Sequence, residues 1–357
     1  MPAPTLCQTL GDTPQRVPAL YGRYVYHEVR GEFAVSHAIA QDLLRLGEQR
    51  NDTVSLLIGH RIVGVSAFYL GRFIPARAHL EQAIALYDPD RHRSLALFYG
   101  YDARVVSQCY LVKTLFVLGH ADQALALCRE ALKEARELAP GSLAFALNYA
   151  SYLHQFRRER EAVGRWADEL VPLAEDQGFP YWLAAGKLLR GWAITEGGDL
   201  ESGLAMMRDG LAGWRATEAE LYMPYNLALL AEAHATAGQP AEALGLVTEA
   251  LGWSQRTGEH WFVAEQHRLK GELLRLRSDG HEAEAEECLR QALDVARAQR
   301  ATSWELRAAV SLARLWRDQG RRDEARALLA PVYGWFKEGF DTPDLKEAKA
   351  LLGEMGE

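Results

Sequence analysis

The sequence predicts an all-α solenoid, about eight antiparallel helix pairs wound into a right-handed superhelix and closed by a C-terminal capping helix. Three observations carry this expectation. Helix-stopping glycines recur at Gly31, Gly71, Gly119, Gly198, Gly238, Gly280 and Gly320, at spacings of 40, 48, 79, 40, 42 and 40 residues. A period of this length is one helix-turn-helix unit, so the 79-residue spacing hides one further unit, whose turn near Arg157-Arg158-Glu159 has lost its glycine. The residue five places after each glycine is small every time: Ser36, Ala76, Ala124, Gly203, Ala243, Ala285 and Ala325. Twelve places after it stand Ala83, Ala131, Gly210, Ala250 and Ala292, with Leu43 and Val332 at the terminal units. Small side chains at a fixed register mark where two helix backbones approach closely. Terminal units depart from the rule because they cap the stack.

Taken in order, the first pair is expected over about 14–30 and 33–49, and residues 1–13, helix-like over 5–10, read as the remnant of a preceding helix. Gly71, Phe73, Ala76 and Ala83 then spell the turn and second helix of a tetratricopeptide-type repeat, and Gly64 supplies the small residue seven places before the turn. That second pair opens at Asp52-Thr53, a helix-start signal, and carries Leu56, Leu57, Ile62, Val63 and Val65 on its first helix. A longer connection at 87–92 accounts for the 48-residue spacing. The third pair surrounds Gly119 and stops at Pro140-Gly141-Ser142. The fourth starts at Leu143 and places Asn148, Tyr149, Tyr152, His154 and Phe156 on its first helix, in a register open by one residue. The fifth starts at Tyr181-Trp182 and turns at Gly197-Gly198, and Gly191, Ala231 and Ala313 repeat the role of Gly64. In the seventh, Gly271 fits that role with a two-residue insertion at 278–280. Asp341-Thr342-Pro343 announces the capping segment, 341–357, with a helix from Pro343 to about Met355. A repeat period outweighs the usual length prior, so 1–357 is expected to be a single domain.

Composition narrows the function classes. A net charge of -8 argues against a nucleic-acid footprint, which would be basic. No run reaches the ~18 uncharged residues that a membrane span needs, since the most apolar window, 54–70, is broken by His60 and Arg61. Cys7, Cys109, Cys128 and Cys288 form no C-x-x-C pair and follow no signal peptide, so reduced thiols in a cytoplasmic protein are expected.

Catalytic signatures are missing. No phosphate loop, dinucleotide fingerprint, nucleophile elbow or H-E-x-x-H occurs, and His281-Glu282 lacks a second histidine because position 285 is alanine. No cofactor, no metal and no enzyme activity are therefore expected. The histidines are scattered, and most of the tryptophans fall at helical spacing, which suits a core. Arginines gather around 157–165 and again from Arg307 to Arg326. Arg307 and Arg314 lie seven apart on one helix and hence on one face.

Several segments resemble a known family. They are Arg77-Ala78-His79-Leu80-Glu81-Gln82-Ala83-Ile84-Ala85-Leu86-Tyr87-Asp88-Pro89, Gln177-Gly178-Phe179-Pro180-Tyr181-Trp182, Ser303-Trp304-Glu305-Leu306-Arg307-Ala308-Ala309 and the stretch from Leu328 to Thr342. Together they resemble the C-terminal tetratricopeptide arm of bacterial regulators that join an adenylyl cyclase or other effector to a signal-transduction ATPase of the STAND type. The resemblance implies a sensor or oligomerisation arm that restrains the motor until a ligand or partner binds. Neither a cyclase domain nor a nucleotide loop is present in this sequence, so those activities are not implied for it, and the chain reads as an excised arm or a stand-alone relative.

The expected function is a non-catalytic interaction scaffold or sensor arm that binds a peptide or partner domain in the concave groove. The alternative is a small-molecule-sensing arm controlling an attached or partner NTPase or cyclase. By analogy with the repeat family, the row Val65, Lys113, Trp192, Glu232 and Arg314 faces the groove. The candidate groove residues are Arg61, Lys113, Tyr152, Trp192, Tyr225, Arg307 and Arg314. Lys113, Arg307 and Arg314 would bring positive charge to an acidic protein, so an acidic peptide or partner surface is expected, with no nucleic acid and no membrane among the partners.

Overall fold

The computed structural model describes residues 16–277 and 280–356. The expected helical remnant at 1–13, residues 278 and 279 of the expected insertion, and residue 357 lie outside them. Every regular element among the described residues is helical. The first pair is α1 (Arg16–Val29) with α2 (Phe33–Arg50), and the second is α3 (Thr53–Tyr69) with α4 (Phe73–Leu86). Where the sequence suggested a plain connection, α5 (Pro89–His92), a 3-10 turn (Arg93–Leu95) and α6 (Ala96–Tyr99) follow. Asp88 starts this short run by accepting from the Asp90 amide, with Pro89 fitting the first helical position. Next come α7 (Ala103–Val117) with α8 (Ala121–Ala135), α9 (Pro140–Phe156) with α10 (Arg160–Asp176), and α11 (Pro180–Glu196) with α12 (Leu200–Ala216). The last three pairs are α13 (Met223–Thr236) with α14 (Pro240–Thr257), α15 (Val263–Arg275) with α16 (Glu282–Gln299), and α17 (Thr302–Asp318) with α18 (Arg322–Trp335). Finally α19 (Pro343–Glu354) packs on α17 and α18, burying Leu345, Ala348 and Leu351. The chain is a tetratricopeptide-like solenoid of eight helix pairs with a terminal capping helix.

The small-residue register holds the pairs together. Ala76, Ala83, Ala124, Ala243 and Ala250 are fully buried. In the fifth pair the backbones come so close that a Cβ on Gly191 would stand 2.8 Å from the Gly203 carbonyl oxygen, and one on Gly203 2.8 Å from that of Gly191. At the turn without a glycine, Arg158 takes φ 56, the left-handed conformation that Gly71 adopts at φ 70 in the second pair. The fourth turn is thus the same turn as the others, built with a residue that strains to make it.

One feature of the architecture has no trace in the repeat pattern. The turn of each of the first four pairs docks on the segment that follows the pair four further along. The Glu220 amide donates to Val29 O at 2.9 Å and the His260 amide to Tyr69 O at 2.8 Å. Ser303 Oγ donates to Phe116 O at 2.5 Å across 187 residues. Arg158 reaches Glu347 at 2.7 Å and Asp344 at 3.5 Å, and Arg157, itself buried, reaches Ala121 O and Asp341, both at 3.3 Å. The superhelix therefore completes a turn and closes on itself along a seam. Its concave side becomes an interior, and one apolar core joins residues as far apart in sequence as Phe33 and Trp304.

Candidate functional site

The first helices of the pairs project their aromatic residues into this interior. Phe68 (α3), Tyr110 (α7), Tyr149 and Tyr152 (α9), Tyr222 before α13 and Trp261 before α15 surround one ammonium, Lys113 Nζ. Their ring centroids stand 4.3 Å (Phe68), 4.4 Å (Tyr149), 4.5 Å (Tyr222), 4.7 Å (Tyr110), 5.2 Å (Trp261) and 5.5 Å (Tyr152) away, within reach of cation–π attraction. Lys113 Nζ also donates to the Tyr222 hydroxyl. That hydroxyl pairs with Tyr149 at 3.0 Å, and the Tyr69 and Tyr110 hydroxyls pair at 2.6 Å. Burial pushes the ammonium well below the usual lysine range, and Glu259, Cys109 and Glu28 pull it back.

Glu259 ties the cage together. Its carboxylate accepts from the Tyr222 amide at 3.0 Å and from the Trp261 indole at 2.7 Å. Tyr222 has φ 60, a left-handed conformation costing about 1–3 kcal/mol for such a residue, so the Glu259 bond to its amide fixes a strained residue. Burial pushes the Glu259 carboxyl up to about 8, against the pull of Trp261, Tyr222 and Lys113.

Two cavities bear on the expected groove residues. An aromatic one of about 230 Å³ shares the walls Tyr110 and Tyr149 with the cage and is bounded by α1, α3, α9 and α11. Arg61 enters it with only 2% of its surface exposed, its guanidinium 5.1 Å from the Tyr21 ring and 6.0 Å from the Tyr99 ring. Glu28 lines it too, and burial pushes that carboxyl up to about 7. The second cavity, about 410 Å³, is polar and is walled by Trp192, Glu232, Arg268, Arg307, Arg314 and Asp344 among others. Its arginines are already engaged. Arg307 donates to Asp344 at 2.7 Å, to Glu265 at 3.0 Å and to the Phe156 carbonyl, and Arg314 donates to Glu347 at 3.2 Å. Burial would raise the Glu265 carboxyl, but Arg268 and Arg307 outweigh it and hold it below the usual range.

The structure thus distributes the expected groove residues over three places. Arg61 faces the aromatic cavity; Trp192, Arg307 and Arg314 line the polar one; Lys113, Tyr152 and Tyr225 are buried in and around the cage. An open groove row presenting free Lys113, Arg307 and Arg314 to a partner is corrected in two respects. Lys113 is walled in by rings, and both arginines are paired within the chain. Tyr24, Glu28, Glu259 and Tyr222 were not singled out from the sequence, because Tyr24 and Glu28 carry no repeat-specific signal within α1 and Tyr222 and Glu259 lie in the segments between pairs. Among the described residues no group of three or more histidines, cysteines, aspartates and glutamates is arranged to hold a metal, and no helix is long and apolar enough to cross a membrane.

Models of the tetratricopeptide repeat match residues 64–175 and 306–333. An uncharacterized protein of Rhizobium meliloti is 29% identical over 291 residues, which are 80% of this chain, and the chain spans 28% of that relative's length. Among solved structures, a Rap protein complexed with competence and sporulation factor superposes with a TM-score of 0.59 at 11% identity, covering 96% of this chain and 98% of that one. NprR in complex with its cognate peptide NprX superposes with a TM-score of 0.52 at 14% identity, covering 83% and 82%. At such identities these two likenesses are of fold.

Proposed function

We propose that the chain is a non-catalytic sensor arm of a bacterial cytoplasmic regulator, in which a small ligand or a peptide end held inside the superhelix changes how firmly the seam closes. One observation carries this reading. Turns and loops four pairs apart hydrogen-bond edge to edge, so whatever occupies the interior acts on the same backbone that forms the seam. A ligand shifts such an equilibrium only by binding the closed and loosened forms differently, and the two cavities offer places for that difference. Arg61 serves the aromatic cavity; Trp192, Arg307 and Arg314 serve the polar one; Lys113, Tyr152 and Tyr225 are buried in and around the cage. The resemblance to regulator arms implies that the output is an attached or partner NTPase or cyclase. The fold it shares with NprR, solved with its cognate peptide, supports a peptide end as one class of ligand. Pairing of Arg307 and Arg314 leaves acid recognition to Arg61 rather than to an open basic row.

Hydrogen exchange at the Glu220 and His260 amides tests the proposal directly. The small-molecule and peptide fraction of a bacterial extract is expected to change their exchange. If only the protein fraction does so, the arm is a docking scaffold and the sensor reading is wrong. One observation favours that second reading: Leu97 and Phe98, on the short helical run between the second and third pairs, are 87% and 73% exposed.

A further inference from the structure

We propose that the aromatic cavity is a binding site for a small apolar carboxylate, held by its carboxylate on Arg61. The proposal rests on the interior-ligand reading above and names its ligand class. Two polar groups facing this one cavity, the Arg61 guanidinium and the Tyr24 hydroxyl, are only weakly matched by the chain. Arg61 keeps 2% of its surface exposed, and among the described residues no carboxylate forms an ion pair with it; it lies over the rings of Tyr21 and Tyr99, interacts with the Tyr21 hydroxyl, and feels the charge of Glu28 in the same cavity. The Tyr24 hydroxyl is buried and has no close hydrogen-bond partner, its polar interaction being with Glu28. Other buried arginines of this chain do find a carboxylate: Arg157 reaches Asp341 and Ala121 O, and Arg307 reaches Asp344, Glu265 and Phe156 O. A buried guanidinium without a paired carboxylate and a buried hydroxyl without a close hydrogen bond are both costly, which favours an occupant that matches the two together.

An entering carboxylate answers both groups. Its two oxygens match the guanidinium fork, and the Tyr24 hydroxyl can donate to it. Beside Arg61 and Tyr24 the wall carries Glu28 and a set of tyrosine rings, and Ile62, Val65, Val106, Phe145 and Trp182 complete it with no second cation. One cation facing a carboxyl of the chain's own disfavours inorganic phosphate, which brings up to two negative charges. At about 230 Å³ the cavity falls below the ~300–1,000 Å³ typical of pockets for drug-sized ligands, so the body of the ligand is of the order of one aromatic ring. Glu28 is the acid that an entering anion displaces from Arg61, and because desolvation pushes its carboxyl up to about 7, it can take up a proton as the ligand binds.

Calorimetric titration of the full chain with phenylacetate, phenylacetamide, phenylalanine and inorganic phosphate decides the matter. Phenylacetate is expected to bind at least about tenfold more tightly than the isosteric amide or phosphate, since discrimination against a missing charged partner is of that size or larger. Tighter binding of phenylalanine than of phenylacetate would overturn the simple-acid class in favour of a zwitterion with its ammonium on Glu28. Arg61→Met keeps most of the stem and should abolish the preference for acid over amide. Tyr24→Phe, a milder change that removes only the hydroxyl, should weaken phenylacetate several-fold and leave the amide unchanged, so the site can be judged even if the arginine variant does not fold. Equal binding of acid and amide, or no binding of phenylacetate at all, overturns the proposal. If phenylacetate binds as expected while exchange at Glu220 and His260 stays the same, the site stands and the sensor mechanism falls.

Discussion

Replacing Arg158 with glycine and, separately, with alanine takes apart the two things this residue does. It occupies a left-handed turn position, φ 56, that Gly31, Gly71, Gly119, Gly198, Gly238, Gly280 and Gly320 fill elsewhere, and its side chain reaches α19. A left-handed conformation costs an L-residue about 1–2 kcal/mol, which glycine removes and alanine retains. Glycine's freer unfolded chain takes back about 0.5–1 kcal/mol. The glycine variant should therefore be about 0.5–1 kcal/mol more stable than the alanine variant. Both lose the pairs to Glu347 and Asp344, and because Arg158 is half exposed these are worth about 0.2–1 kcal/mol each. Against the parent chain, relief and loss nearly cancel for glycine, while alanine falls about 1 kcal/mol below. Urea unfolding measures both differences. Amide exchange across α19 measures the seam, and it should quicken alike in the two variants, since both lack the side chain. Equal unfolding midpoints for glycine and alanine, or unaltered exchange in α19, would refute the claim that strain here is tolerated for the sake of closure.

The remaining predictions concern packing, charge and the seam. Gly203→Ala gains about 1 kcal/mol of helix propensity but drives a Cβ against Thr195 Oγ1, Thr195 N at 2.7 Å and Gly191 O at 2.8 Å. Backbone atoms cannot swing aside, so overpacking of about 1–3 kcal/mol should prevail and the melting temperature fall. Gly245→Ala, in α14 with nothing within 4 Å of the new Cβ, should do the opposite and stabilise by about 0.5–1 kcal/mol. Glu259, raised to about 8, holds a proton in the folded state that the unfolded chain gives up near its ordinary value of 4.5. Its contribution is thus fully present below about 4.5 and lost as pH rises through 8, with a slope of at most about 1.4 kcal/mol per pH unit. Stability of the parent chain minus that of Glu259→Gln should fall across this window, Lys113, Tyr222 and Trp261 being common to both; a flat difference in denaturant titrations would contradict the assignment. Arg157→Met removes a buried guanidinium whose carboxylate partners, Glu159 and Asp341, can turn to water. A modest loss of about 1–2 kcal/mol is expected rather than the 3–5 of a stranded buried charge, and a drop beyond 4 in urea unfolding would disprove this.

How much of this could be read from the chain follows from the range of each interaction. The pair count and the close-packed faces were legible because glycine and alanine positions act within one helix pair, and Gly64, Gly191 and Gly271 do meet the neighbouring helix as their register implies. The arginine turn was found by counting, but nothing local says why Arg158 stands there; its reason lies in Glu347, 189 residues away. Arg307 and Arg314 were expected on one face and do line one cavity. Their pairing with Asp344 and Glu347 was hidden because α19 had to fold back first. The recurrence of aromatics along the first helices, Phe68, Tyr110, Tyr149 and Tyr152, was the available signal for the cage.

The seam also changes how the molecule comes apart. In an ordinary repeat array each unit answers only to the unit before and the unit after, so melting behaves like a row of dominoes and can start anywhere. Here each of the first four units has a further neighbour across the seam, and the lattice of couplings is a strip rolled into a tube rather than a line. A break in the middle of the strip cannot spread without also opening the join, and the join cannot be made until its distant half exists. Unfolding should therefore gather into a single concerted event, and folding should be slowed by contacts far apart in sequence. During synthesis the first four units must wait, half-lined and with their rings open to water, for units that have yet to leave the ribosome.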